Sequence, residues 1–475
     1  TEVNFAGDVF VTNTLNVAGD TAAGDDAAIG YTAAEGLILT GQGSTGDVTI
    51  KNDADAVVLQ VPTGTTNVNI VGALDVDGTT NLDVVDVDGA VNFAADVTFA
   101  DGADIITASA GTSNFRAGVN AGNSIASGGN YNVAVGDEAG TAITTADFTT
   151  AIGYSAGSAI TTGNYNTAVG GHSLDANTTG TDNVAVGTSS LGANTTGSSN
   201  TALGGSALSA NTTASSNTAV GLSSLGANTT GAGNVAFGAE SLATNVLGSN
   251  STAIGREALK TQNPASATDA HNTAVGYRAG LAVTTGIQNT FVGGLAGDAT
   301  DDGAYNTAVG HVALSENCGN ENTAIGYAAL QNTTSAENTA VGSGAGFSLT
   351  DVSGGVFIGQ HSGLFATTAS NSTFVGHSAG QGITGTKLTG NNNVAVGTNA
   401  GLVLQGAANG NTLVGANGGA AITTGEGNVA VGRLALAATT TANYNVAIGR
   451  LALAANVTGN ENTAVGNGAL STNID

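Results

Sequence analysis

The chain has 475 residues, of which 74 are glycine and two are proline, and it has no methionine or tryptophan. Its net charge is −27 with eight Lys and Arg in all, which argues against nucleic acid or an anionic membrane surface as a partner. Scarce proline and irregular glycine spacing exclude collagen, and a single cysteine excludes an intrachain disulfide. No apolar run is long enough to predict membrane insertion.

Residues 1–113 form an acidic region rich in Gly and Asp, with Lys51 as its only base. Short β-branched runs at residues 9–11, 48–50, 57–59, 68–70 and 97–99 lie between Gly, Asp and Asn turns and predict short strands. The motif Asp-Val-Asp-Gly occurs at residues 75–78 and again at 86–89. We interpret this region as a thin, β-rich domain that serves for attachment or as a shaft. We expect it to be trimeric.

Residues 114–475 repeat one phrase, Asn-x-Ala-Val/Ile-Gly, in 20 copies. The closing (anchor) glycines are Gly136, Gly153, Gly170, Gly187, Gly204, Gly221, Gly238, Gly255, Gly276, Gly293, Gly310, Gly326, Gly342, Gly359, Gly376, Gly397, Gly415, Gly432, Gly449 and Gly466. Of the 19 intervals between them, 14 are 17 residues long. A fixed period of this length is typical of a solenoid, in which each repeat is one turn.

Within each copy, alternating side chains predict a short strand with Val or Ile on one face and Ala on the other. A second apolar position four residues after the glycine, often Leu, predicts a second short strand, and a polar turn follows. Stacked turns would align the Asn side chains into ladders that satisfy their amides. Because one narrow turn buries little apolar surface, we expect the Ala face to pack against another chain. The predicted seam includes Ala185, Ala202, Ala219 and Ala236.

The phrases "NTAVGxxAL" and "NVAVG" resemble the head repeats of YadA-like trimeric autotransporter adhesins, and similar repeats occur in phage tail-fibre proteins. The resemblance implies a left-handed parallel β-roll and an elongated parallel homotrimer. The repeat here is longer than is usual in that family, which implies larger turns. The chain ends at Asp475, directly after a repeat and without stalk heptads or a membrane anchor, which weakens the autotransporter interpretation.

Two intervals are 21 residues long, and insertions of this kind form loops on the outside of a solenoid. Loops on a rigid scaffold are where contacts with partners concentrate. We therefore predict two receptor-contact loops, with decoration of the surface as the alternative. The candidate residues are Lys260, Gln262, Asn263 and His271 in the first loop, and Thr384 and Lys387 in the second.

The chain offers few residues for chemistry, and we predict no enzyme, no catalytic residue and no resident cofactor. Asp75 and Asp77 could bind adventitious Ca²⁺, although a solvated strand face is the simpler interpretation. His311 or His377 could meet symmetry mates in a trimer and bind an axial metal, and Cys318 could also lie near that axis. Simple packing is the alternative for all three.

The Asn-Thr-Thr turns match the N-glycosylation sequon and place Thr pairs in line, as ice-binding arrays do. We interpret them as polar turns of the solenoid instead. These turns begin at Asn177, Asn194, Asn211 and Asn228.

These observations predict a structural fibre, most simply a phage tail fibre of the virion that attaches to a host. Its expected partners are two further copies of the chain, other virion or appendage proteins, and a host-surface glycan. The first alternative is a bacterial surface adhesin or extracellular filament subunit. The second is a polysaccharide-degrading tailspike, which the absence of Trp platforms for sugar disfavours.

Overall fold

The computed structural model describes Ala6, short segments at residues 15–16, 28–32, 36–40, 48–51, 57–62 and 68–70, and the continuous stretch 110–474. The chain divides into two units, Thr1–Asp101 and Gly102–Asp475. The described residues contain strands and turns but no helix, so none of their segments is a helix that could span a membrane. The predicted strands at 9–11 and 97–99 and the acidic pairs near Asp75 lie outside the described residues.

The described residues of the first unit form two small antiparallel sheets. The first sheet has the order β1 (Leu15–Asn16), β2 (Ala28–Thr32), β3 (Gly36–Thr40), and the second has the order β4 (Val48–Lys51), β5 (Val57–Val61), β6 (Asn69–Ile70). The predictions of strands at 48–50, 57–59 and 68–70 are confirmed.

The second unit is a parallel β-solenoid, as the repeat predicts. Its 21 stacked strands are β7 (Phe115–Ala117), β8 (Val133–Val135), β9 (Thr150–Ile152), β10 (Thr167–Val169), β11 (Val184–Val186), β12 (Thr201–Leu203), β13 (Thr218–Val220), β14 (Val235–Phe237), β16 (Thr252–Ile254), β18 (Thr273–Val275), β19 (Thr290–Val292), β20 (Thr307–Val309), β21 (Thr323–Ile325), β22 (Thr339–Val341), β23 (Val356–Ile358), β24 (Thr373–Val375), β25 (Val394–Val396), β26 (Thr412–Val414), β27 (Val429–Val431), β28 (Val446–Ile448) and β29 (Thr463–Val465). Each pairs in parallel with the strand of the next turn, and Ala185, for example, lies opposite Ala202. At about 4.8 Å per turn, the stack is roughly 95 Å long.

From β8 onward, the middle residue of each stacked strand points into the solenoid, and its two neighbours point outward. Ala185, Ala202, Ala219 and Ala236 are completely buried within this one chain. The prediction of an alanine seam between chains is therefore wrong, because a side chain in the core of its own solenoid cannot touch a second molecule. The outward face carries Thr or Val first and Val, Ile, Leu or Phe third.

The anchor glycine allows neighbouring turns to approach closely. Gly187 has a φ of 132°, and a Cβ atom placed on it would lie 2.6 Å from the carbonyl carbon and oxygen of Gly204 in the next turn. The same relationship holds between Gly204 and Gly221. A side chain at this position would therefore push the stacked turns apart.

The second strand predicted for each repeat is not formed at the Leu positions. Leu174 has a φ of 51°, in the left-handed region, and its N–H donates to the Ser190 carbonyl of the next turn at 2.9 Å. His172, two residues earlier, has a φ of 54°. Two left-handed residues in five close a tight corner, and an extended strand cannot include them. Only the first insertion adds a strand pair, between β15 (Gly248–Ser249) and β17 (Thr268–Asp269).

The core of each turn is filled in one of three ways. Most turns place Leu four residues after the anchor glycine and a polar residue, usually Asn, three residues later, as in Leu174 and Asn177, both buried. Others place Gly at the first position and an aliphatic residue at the second, as in Gly157 and Ile160. In three further turns, Phe replaces the strand alanine, and glycine again stands four residues after the anchor glycine. Their phenylalanines are Phe291, Phe357 and Phe374, which are all completely buried.

Candidate functional site

Two ladders of buried asparagines run along the inside of the solenoid. The Oδ1 of Asn183 accepts a hydrogen bond from the backbone N–H of Asn200 at 3.1 Å, and the Nδ2 of Asn200 donates to the Ala214 carbonyl at 2.9 Å. In the second ladder, the Nδ2 of Asn194 donates to the Oδ1 of Asn177 at 2.8 Å. The predicted amide ladders are confirmed. The asparagines of the Asn-Thr-Thr turns are also completely buried. These turns are therefore structural, as interpreted from the sequence, and their asparagines are inaccessible to glycosylation in the folded chain.

The outward strand face is an apolar surface that follows the stack of strands. On it, Leu203 is 46% exposed and Phe237, two turns further along, is 55% exposed. Further exposed members are Ile152, Val184, Val235, Ile254, Val292, Ile325, Ile358, Val431, Ile448 and Val465. This outward strand face is continuous because every strand pairs in register with the next. Monomeric soluble proteins seldom expose an apolar strip of this extent.

The first insertion provides three accessible candidates and one buried residue. Lys260 forms an ion pair with Glu240, and Asn263 and His271 are exposed. Gln262 is completely buried, where its Nε2 donates to the Oδ1 of Asn245 at 3.3 Å and its Oε1 accepts from Asn272 at 2.9 Å. It continues the second asparagine ladder, so its prediction as a receptor contact is wrong.

The second insertion lies far from the first. Thr384 and Lys387 are exposed in the turn between Gly376 and Gly397. Seven turns separate β24, which begins this turn, from β16 beside Lys260, a distance of roughly 34 Å. The structure therefore does not bring the two predicted loops together into one site, and each must act separately.

An ion-pair cluster that the sequence analysis did not identify lies beside the first insertion. Glu257 is 4% exposed, and its two carboxylate oxygens accept hydrogen bonds from Arg256 at 2.8 Å and from Arg278, one turn away, at 2.6 Å. The hydrogen bond from Arg278 lowers the pKa of Glu257, and the same bond raises the pKa of Arg278. The Arg278 guanidinium lies 5.1 Å from the centre of the Tyr277 ring. The cluster joins two turns at the base of the inserted loop.

Exposed aromatic side chains also stack along the solenoid. The Tyr131 and Phe148 rings are 4.9 Å apart, and the Phe148 and Tyr165 rings are 5.2 Å apart, in nearly parallel planes. All three occupy the same position in successive turns, five residues before the anchor glycine. The sequence spacing alone could have shown this aromatic ladder, because residues one period apart lie directly above each other.

The predicted metal ligands are dispersed within one chain. His311 stacks on Tyr327 at 6.0 Å, and His377 lies 6.4 Å from His361. Among the described residues, no group of three or more His, Cys, Asp or Glu side chains could hold a metal ion. An axial site that needs His311 or His377 from several chains stays a prediction.

Cys318 belongs to the core rather than to a surface. It is 2% exposed, and burial raises the pKa of its thiol to about 11. The Sγ lies 3.4 Å from the Thr300 hydroxyl, also buried. A thiol inside its own solenoid cannot meet the same residue of other chains at an axis, and the packing alternative is correct.

Comparison with known proteins provides no relative. No protein-family model matches the chain, and neither a curated protein nor a solved structure matches it significantly. Interpretation of its function therefore depends on the solenoid and its surfaces.

Proposed function

We propose that this protein is a structural fibre for attachment to a host surface, in the manner of a phage tail fibre, and that it works as a parallel homotrimer. The observation that carries the proposal is the outward strand face, whose apolar side chains are exposed or half-buried from β8 to β29. Apolar area buried between chains contributes roughly 25 cal/mol per Å², so a strip repeated over 21 turns gives many small favourable contributions.

Three solenoids standing side by side would cover these strips at a common centre. In a parallel trimer with threefold symmetry, equivalent strands would lie at the same height in all three copies, so that Val186 or Leu203 of one chain would meet its equivalents in the other two. The polar turns, with their Thr, Ser and Asn side chains, would then form the outer surface. The resemblance of the repeats to YadA-like heads supports the same arrangement.

A rigid trimeric rod with insertions far apart suits attachment better than a catalytic cleft. The two inserted loops lie at separate positions along the solenoid, so that each could contact a different part of a repeating polymer such as a glycan. A glycan of the host surface is the proposed ligand class, and the virion is the proposed location. Incubation with purified host polysaccharide tests the tailspike alternative, since release of shorter chains would contradict a purely structural role.

The oligomeric state tests the proposal directly. Analytical ultracentrifugation of the purified chain should give three times the chain mass, 45.4 kDa. Leu203→Lys together with Val186→Lys should dissociate the trimer while preserving the β-rich circular dichroism spectrum, since both side chains point outward. Thr196→Lys, on an exposed turn, is the control and should leave the trimer intact. A wild-type monomer at micromolar concentration would refute the proposed assembly.

A further inference from the structure

Two arginines stand in line near the C-terminal end of the solenoid. Arg433 and Arg450 directly follow the anchor glycines of neighbouring turns, within two copies of Gly-Arg-Leu-Ala-Leu-Ala at residues 432–437 and 449–454. Val431 pairs with Ile448 in register immediately before them, so the two arginines start one turn apart, at about 4.8 Å. Both are exposed.

Neither arginine has a carboxylate partner within ion-pair distance in the part of the chain that the structure describes. Within residues 391–474 the acidic residues are Glu426 and Glu461, which precede their strands, whereas the arginines follow theirs. Glu426 instead accepts a hydrogen bond from the Tyr444 hydroxyl at 3.0 Å. The pair therefore forms an uncompensated positive patch on a strongly acidic protein.

Another arginine of the same chain shows how this position can be neutralised. Arg256 also directly follows an anchor glycine, and the next residue, Glu257, forms its ion pair. In the two C-terminal turns, Leu434 and Leu451 occupy the position of Glu257. All three of these residues have a left-handed backbone, with φ between 58° and 62°, so the local conformation accepts either Glu or Leu. The arginines lack a neighbouring carboxylate because leucine, not glutamate, occupies the next position in these two turns.

We propose that Arg433 and Arg450 together bind an oxyanion, namely the carboxylate, sulfate or phosphate substituent of an acidic surface polysaccharide. Guanidinium groups donate paired hydrogen bonds to such groups, and two of them one turn apart can share one anion or hold two in succession. An anion there would also remove the repulsion between the two like charges. The site rests on the proposed attachment function and names the chemistry of its ligand.

Binding of defined probes tests the site separately from attachment. We would measure fluorescence anisotropy of labelled oligogalacturonate, dextran sulfate and polyphosphate, which offer carboxylate, sulfate and phosphate, with neutral dextran as reference. The wild-type protein should bind at least one acidic probe and not dextran, with affinity that falls as salt rises. Arg433→Gln and Arg450→Gln should each weaken binding about tenfold, or by about 1.4 kcal/mol.

Two further variants separate the site from general charge effects. Leu434→Glu combined with Leu451→Glu keeps both arginines but supplies the missing counter-charges, and should abolish binding with an unchanged melting temperature. Arg256→Gln removes an exposed positive charge that Glu257 already compensates, and should leave binding unchanged. Equal binding by wild type and Arg433→Gln/Arg450→Gln, or no binding of any acidic probe, would overturn the site. Host-cell adsorption that persists in the double Gln variant would overturn the site but leave the attachment function standing.

Discussion

Gly157 and Ile160 share one space in the core. A Cβ atom on Gly157 would lie 2.8 Å from the Cδ1 of Ile160, and Gly157 has a φ of 55°. In the next turn, Leu174 and Asn177 fill the equivalent space. The two residues of each turn are therefore chosen together, because the narrow interior holds either Leu with a polar residue or Gly with an aliphatic one.

This relationship predicts that exchanging the pair is better tolerated than changing one member. Gly157→Leu alone overfills the turn and should cost about 1–3 kcal/mol. Ile160→Asn alone leaves a void and should cost about 2–5 kcal/mol. The double variant reproduces Leu174 and Asn177, so its loss in free energy of unfolding should be clearly smaller than the sum. Chemical denaturation of all four proteins measures the coupling, and simple additivity would show that the two positions are independent.

The turns that contain phenylalanine predict a second exchange. Ala168→Phe should destabilise the solenoid by about 1–3 kcal/mol or more, since Leu174 occupies the space that the ring needs. Adding Leu174→Gly should restore much of this loss, because Gly297 stands in the same relation to the buried Phe291. Thermal unfolding followed by circular dichroism checks this, with Leu174→Gly alone as the matched control. A double variant no more stable than Ala168→Phe would contradict the shared-space argument.

Anchor glycines should be far less tolerant of substitution than glycines of the turns. Gly187→Ala combines a positive φ with a contact of 2.6 Å to the Gly204 carbonyl, and we expect a loss of at least about 1–3 kcal/mol. Gly192→Ala is the control: its nearest neighbour would lie at 3.4 Å, and its φ is outside the left-handed region. Comparing their melting temperatures tests the claim. Equal melting temperatures would mean that the turns can separate at little cost.

The asparagine ladder predicts a high cost for removing one amide. Asn200→Ala leaves the buried Asn217 N–H without its acceptor at 3.0 Å. It also removes one of the two amide donors to the Ala214 carbonyl, the other being the Nδ2 of Asn211. Each buried unpaired group costs about 1–3 kcal/mol. Ser199→Ala, one residue earlier and exposed, should change stability little. Hydrogen exchange of the Asn217 amide gives a local measurement, and unchanged protection in Asn200→Ala would argue against the ladder's contribution.

The Glu257 cluster predicts a pH-dependent contribution to stability. Because its pKa is lowered in the folded state, mainly by Arg278, Glu257 stabilises the fold above its unfolded pKa, about 4.3. That stabilisation is lost as the pH falls through the folded pKa. Glu257→Gln should therefore lower the melting temperature at pH 7, and its difference from wild type should shrink at pH 3. Glu240→Gln, which removes a more exposed partner of Lys260, should show a smaller difference at pH 7.

The period of the repeat was enough to predict the parallel stack, the position of each strand and the buried asparagines. Residues one period apart must lie above each other, so Asn183 and Asn200 were expected to satisfy one another's hydrogen bonds. The last three residues of the phrase, Ala-Ile-Gly, also occur alone at residues 28–30, and this partial copy shows what the period contributes. It lies in β2, which pairs antiparallel with β3, since no further copy follows one turn later.

The strand pattern of two alternating faces did not say which face points inward, and the choice of alanine for the inter-chain seam was wrong for this reason. In most turns the interior is already filled by Leu174 and Asn177 or their equivalents, so that the facing strand position holds alanine. The larger Phe291, Phe357 and Phe374 occur where glycine stands four residues after the anchor glycine. The bulkier Val and Ile side chains are consequently outside. Which residues compete for this interior volume depends on the conformation of the corners of each turn. The left-handed corners at His172 and Leu174 are held by hydrogen bonds to the neighbouring turns. Only the tertiary structure could decide it.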